Sequence, residues 1–163
     1  MGLLAWLGFK QGDEYPHLDA LVAEVRRALP DAEGVVRRYI AIVVVLLGKM
    51  AYVDGRFSKA EEERLRELLS RLDRIAPAGV DAVCEMLRGN VPEMSDEELS
   101  LCYREVKALC DGKERLDVVR LLADLASADG TMTDEEEAEL RTIAREIGAP
   151  MDDVNAVVRT SRA

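Results

Sequence analysis

Residues 39–47 read YIAIVVVLL, and the fold class turns on whether this run is a strand or a helix, because no other part of the chain looks strand-like. Its β-branched content favours a strand by local preference. Its setting argues for a helix. No proline interrupts residues 31–53, and the run aligns with LDVVRLLADLA at 116–126, where the apolar residues recur at helical spacing. The stretch is therefore predicted to be a central helix, buried on most sides. At nine apolar residues between Arg38 and Lys49, it is too short to span a bilayer, which takes about 20.

Start and stop signals supply the remaining helices. One is predicted from about His17 to Leu29, ended by Pro30, with Asp31 offered as the N-cap of the central helix. Ser58 opens a helix ending near Arg74, and Pro77 begins a short one that stops at Gly89 and Asn90. Ser95 with Glu98 makes a capping box for a helix reaching Cys110. Gly112 is read as a break, followed by a helix over roughly 113–128. Thr133 with Glu136 boxes the next, Gly148 ends it, and Pro150 starts a last short one. The expectation is an all-α compact bundle of about seven to eight helices: an apolar arm at 1–15, then a single domain at 16–163.

The chain has 163 residues and 48% apolar composition, enough for one buried core. Its formal net charge of −10 argues against nucleic acid as a partner, since phosphate binding needs clustered positive charge. Most of that charge lies in residues 89–163, with a net of −9 against −1 for residues 1–88. Arg26, Arg27, Arg37 and Arg38 are read as a solvated helix face in preference to a basic patch. Cys84, Cys102 and Cys110 form no CxxC pair and accompany a single histidine, His17, so neither a disulfide framework nor a zinc site is indicated. Reduced core cysteines in a cytoplasmic protein are expected, and His17 is read as structural or solvated. The opening MGLLAWLGF lacks the length of a membrane span and the basic leader of a secretory signal. Packing of residues 1–9 on the domain is favoured over contact with a partner or a membrane surface.

The chain also repeats itself. A shift of 75 residues lays Val43, Val44, Leu46 and Leu47 on Val118, Val119, Leu121 and Leu122, and Ala51 on Ala126. The match continues through the loop, from Asp54 and Gly55 on Asp129 and Gly130 to Ser58 on Thr133, Glu61 and Glu62 on Glu136 and Glu137, and Leu65 on Leu140. Two pseudo-repeated helix–loop–helix hairpins, at about 40–72 and 115–147, are expected.

Within each copy, glycine lets the chain leave the first helix through a left-handed conformation. Phe57 or Met132 precedes the N-cap and is placed to clip onto the first turn as a hydrophobic staple. Ser58 with Glu61, and Thr133 with Glu136, form capping boxes. Capping accounts for those four residues but not for Asp54 and Asp129, which oppose the helix dipole at a C-terminus. Each aspartate either bonds loop amides as an Asx-type turn or shares a cation with the acids of the partner hairpin. EF-hand spacing is absent: the third and twelfth positions fall on Arg56 and Leu65, or on Thr131 and Leu140. A pocket drawing on Asp54, Glu61, Asp129 and Glu136 would suit a hard divalent cation, Ca²⁺, Mg²⁺ or Mn²⁺, better than zinc. Glu62 and Glu137 are weaker candidates.

AYVDGRFSKAEEERL and ASADGTMTDEEEAEL, each after an apolar helix, resemble the TerB-like tellurite-resistance family over about residues 31–150. The likeness is carried by Asp54, Gly55 and Glu61 and by Asp129, Gly130 and Glu136; Val53 stands where the family usually has alanine. The resemblance implies a bundle of about seven helices, an acidic cluster proposed to bind metal ions, and roles in tellurite resistance and related stress responses. Similar domains are fused to J-domains in co-chaperones, where they act as interaction modules. No nucleophile–base pair or phosphate-cradling glycine loop is present in the pattern, so the chain is expected not to be an enzyme. The alternative to ion binding is a protein-interaction or scaffold module whose acids are helix caps.

Overall fold

The computed structural model describes residues 15–53, 55, 57–71, 77–90 and 94–162. The described residues form eight helices and no strand. In chain order these are α1 (Pro16–Ala28), α2 (Gly34–Ala51), α3 (Lys59–Ser70), α4 (Pro77–Asn90), α5 (Asp96–Leu109), α6 (Gly112–Ala126), α7 (Asp134–Glu146) and α8 (Met151–Arg162). The all-α bundle is as expected. Residues 1–14, which hold nearly all of the apolar arm, lie outside the described residues.

The ambiguous run 39–47 is helical, and α2 is the axis of the bundle. It packs against α1, α4, α5, α6 and α7, and Ala41, Ile42, Val44, Val45, Leu46, Leu47, Met50 and Ala51 are all buried. Burial on most faces explains why it is nearly uniformly apolar, because every side must meet a neighbour and none needs to be wet. Around it, α6 packs on α3, α7 and α8, while α1 and α3 both pack on α4.

Two helix starts differ in detail from the sequence signals. Asp31 does not cap α2; residues 30–32 form a turn in which the Ala32 amide donates to the Leu29 carbonyl at 3.3 Å, and Glu33 is the extended N-cap residue. Gly112 is not a break but the first residue of α6, where Asp111 and Glu114 form another capping box. That signature was in the sequence, three residues apart like the others. The helix from Pro77 ends at Asn90, where the stop signal of Gly89 and Asn90 set it.

Of the four arginines read as a solvated face, Arg26 and Arg27 are exposed, but Arg37 and Arg38 are half-buried and bind protein groups. Arg37 Nε donates to the Leu29 carbonyl at 3.0 Å, closing the C-terminal end of α1. Arg38 turns inward and grips Glu105 of α5 with both arms of its guanidinium, at 2.8 and 2.7 Å. Arg115 serves two helix ends at once: it donates to the Lys107 and Cys110 carbonyls at the end of α5 and to the Gly148 carbonyl after α7.

All three cysteines are free and buried. Burial pushes the thiols of Cys84 and Cys110 up, and that of Cys102 up to about 12. Since only the thiolate reacts, none of the three is expected to be labelled by a disulfide reagent at about pH 8 in the folded protein, and all three should react once it is unfolded. Counting thiols before and after adding guanidinium checks this, and rapid labelling of any one in the native state would contradict it.

Candidate functional site

The two Asp-Gly turns are built by the same backbone hydrogen bonds. After α2, the Tyr52 amide donates to the Gly48 carbonyl at 3.1 Å, Val53 to Met50 at 3.3 Å and Gly55 to Tyr52 at 3.0 Å. After α6, Ser127 donates to Ala123 at 3.0 Å, Ala128 to Leu125 at 3.0 Å and Gly130 to Ser127 at 3.2 Å. Gly55 and Gly130 carry φ of 76° and 139°, a region that side chains disfavour, so glycine is needed for the chain to turn away from the finished helix.

The next helix then begins with a closed capping box in both segments. The Ser58 amide donates to Glu61 Oε2 at 2.8 Å, and the Glu61 amide to Ser58 Oγ at 3.1 Å. The Thr133 amide donates to Glu136 Oε2 at 2.7 Å, and the Glu136 amide to Thr133 Oγ1 at 3.2 Å. Glu61 and Glu136 are buried, at 6% and 7% exposure. Each therefore already has one oxygen committed to the backbone.

The expected staple takes another form. The fourth helical residue, where a staple would be met, is Glu62 or Glu137. Phe57 instead faces Tyr52 across the turn, with ring centroids 5.3 Å apart, and Met132 is buried in the main core.

Glu62 and Glu137 are drawn into arginine networks. Glu62 pairs with Arg66 and Arg88, and Glu137 with Arg141 and Arg162. The Arg141 guanidinium, with that of Arg162, holds the Glu137 carboxyl below the usual carboxylate range. Two further ion pairs join the segments across the bundle: Arg64 of α3 with Asp124 of α6, and Lys49 of α2 with Glu139 of α7 at 3.1 Å.

Asp129 is exposed and makes no hydrogen bond or ion pair. The Asx-type turn allowed by the sequence is not formed there. Asp54 lies outside the described residues. Among the described residues, no group of three or more His, Cys, Asp or Glu side chains is placed to hold a metal ion, so Glu61, Asp129 and Glu136 do not by themselves make such a set. Their oxygens are the hard donors that Ca²⁺, Mg²⁺ or Mn²⁺ prefer.

Sequence reasoning missed Glu98 as a long-range cap. It closes the box at the start of α5 and also accepts from the amides of His17 and Leu18 at 3.0 and 3.3 Å and contacts His17 Nδ1 at 3.0 Å. His17 is thus structural, as one of the two sequence readings had it. The only available signal was a Glu in a capping box, which says nothing of a second helix.

These features define an all-helical domain in which two acid-bearing Asp-Gly turns each lead from a core helix into a boxed amphipathic one. The family model for tellurite resistance protein TerB matches residues 40–159, and the chain belongs to that family. No curated protein and no solved structure matches it. No helix among the described residues is long and apolar enough to cross a membrane.

Proposed function

We propose that this TerB-family chain is a non-enzymatic, cytoplasmic binding protein of tellurite resistance and related stress responses, and that its Asp-Gly turns take up a divalent cation. Asp54 and Asp129 would supply the outer carboxylates, and Glu61 and Glu136 the inner ones, with Ca²⁺, Mg²⁺ or Mn²⁺ as the ion. The observation that carries this reading is the state of Asp129. It stands exposed at the C-terminal, electronegative end of α6, where a negative charge is disfavoured, and no hydrogen bond offsets that cost. A cation would. When bound, the ion would neutralise the gathered carboxylates, while the capping boxes hold Glu61 and Glu136 in place beforehand. The non-enzymatic part is supported by the use of His17 in binding Glu98 and by the burial of every thiol.

A second reading, the protein-interaction module, is favoured by one specific observation: helix capping already explains the burial of Glu61 and Glu136. Calorimetry and thermal melts separate the two. If the ion reading is right, each wild-type sample at about ten times Kd should gain about 1.4 kcal/mol, or about 3–5 °C in Tm. The gain should be lost in the Asp54→Asn/Asp129→Asn double variant. No heat and no Tm change with any of the three ions at millimolar concentration sinks the ion reading, and a pull-down with and without residues 1–12 then probes the interaction module.

A further inference from the structure

Each Asp-Gly turn is straddled by the end of a later helix, α4 for the first turn and α8 for the second. Before the turn, the Tyr52 hydroxyl donates to the Arg88 carbonyl at 3.3 Å and the Ser127 hydroxyl to the Ser161 carbonyl at 3.4 Å. Beyond it, the Arg88 guanidinium binds Glu62, while that of Arg162 binds Glu137 and also Asp134, the latter at 2.6 Å. Arg66 and Arg141 complete the two sets, reaching Glu62 and Glu137 from one helical turn on, at 3.1 and 2.8 Å. Tyr52 and Ser127, Glu62 and Glu137, and Arg66 and Arg141 are each 75 residues apart, so the two clasps follow the spacing at which the sequence matches itself.

Exposed ion pairs of this kind add little to stability, and Arg88 and Arg162 are 43% and 45% exposed. Their placement matters more. Glu62 and Glu137 directly follow the boxed Glu61 and Glu136 in sequence, so each clasp sets a positive charge at the edge of an Asp-Gly turn. At the second turn both oxygens of Glu137 are taken, Oε1 by Arg141 and Oε2 by Arg162.

We infer that Arg162 is the resident counter-cation of the second Asp-Gly turn and lowers its affinity for a divalent ion, an autoinhibitory contact that rests on the ion reading given above. An ion at Asp129 and Glu136 is repelled by the guanidinium held at Asp134 and Glu137. Neither of those two carboxylates is free to turn toward the ion while Arg162 holds both. Ion uptake is thereby coupled to α8, whose last turn loses its hold on the start of α7 when Arg162 lets go.

Calorimetry on the full chain at low salt, with Ca²⁺, Mg²⁺ and Mn²⁺ in turn, tests the inference. Arg162→Gln should bind the ion about fivefold more tightly than wild type, the scale expected for one unit charge acting on a divalent ion across several ångströms of wet surface. Raising the salt to about 0.5 M should erase most of that difference. Lys113→Gln, an exposed position at the far end of α6 and about 20 Å from the turn by helix rise, removes the same charge and should leave affinity within about twofold. If Arg162→Gln leaves affinity unchanged or weakens it, or if Lys113→Gln tightens binding equally, the inference is overturned while the ion reading stands. No binding by either wild type or Arg162→Gln overturns both.

Discussion

Glu105→Ala is expected to destabilise the fold by about 3–5 kcal/mol, because it leaves the Arg38 guanidinium largely buried without its main counter-charge. The side chains are 16% exposed for Arg38 and 1% for Glu105, and both hydrogen bonds between them are short and parallel. Among the described residues, Asp19 of α1 also pairs with this guanidinium, at 3.9 Å, too far to replace two lost hydrogen bonds. Stability of a domain is commonly about 5–15 kcal/mol, so this one change removes a large share, and Tm should fall by about 10 °C. Replacing both partners by apolar residues, Arg38→Met with Glu105→Leu, removes the charge and its desolvation together. That variant should lie within about 1.5 kcal/mol of wild type. Urea unfolding of the single and double variants decides it; a single variant as stable as the double would mean that the pair does not act as described.

Glu98→Ala is expected to cost about 2–4 kcal/mol, since it opens the box of α5 and strips the first turn of α1 of its acceptor. Glu98 is only 2% exposed, so water cannot readily take over its bonds. Its titration adds a pH signature. Burial works against its charge, but the amides of Ser95, Leu18 and His17 and the His17 ring outweigh burial and hold the carboxyl below its ordinary value of 4.5. The unfolded chain therefore takes up this proton more readily than the folded one. The stabilisation is fully present above about pH 4.5 and is lost as pH falls through the lowered folded value. Glu98→Gln, which keeps an acceptor oxygen but does not titrate, should show a shallower loss of stability between about pH 5 and pH 3 than wild type. Identical acid limbs in urea titrations would show that Glu98 does not carry this linkage.

These two side chains also mark where the sequence stopped being legible. The capping box of Ser95 and Glu98 could be read because its partners are three residues apart, whatever the rest of the chain does. The bond from His17 to the same carboxylate spans 81 residues, and nothing local announces it. Arg38 shows the same limit more sharply. In sequence it is one of four arginines near a helix start, for which solvent is the ordinary setting; only the packing of α5 against α2 brings Glu105 to it, 67 residues on.

The candidate site divides along the same line. Glu61 and Glu136 were assigned as box residues from spacing alone, and both boxes are closed in the fold. What spacing could not supply was the depth of those glutamates or the solitary state of Asp129. Likewise the staple failed because the pattern placed Phe57 and Met132 correctly before the N-cap but overlooked that the position they would meet is a glutamate.

The sequence by itself determined the helices, the capping boxes of α3, α5 and α7, the two glycine turns and the resemblance to the TerB family, because each rests on residues within about four positions of one another or on apolar periodicity. Only the tertiary structure decided which charges are buried, paired or left to solvent. That outcome depends on which helix faces which, and the pairing of Arg38 with Glu105, of Glu98 with the start of α1 and of Lys49 with Glu139 exists only once α2 lies at the centre of the bundle.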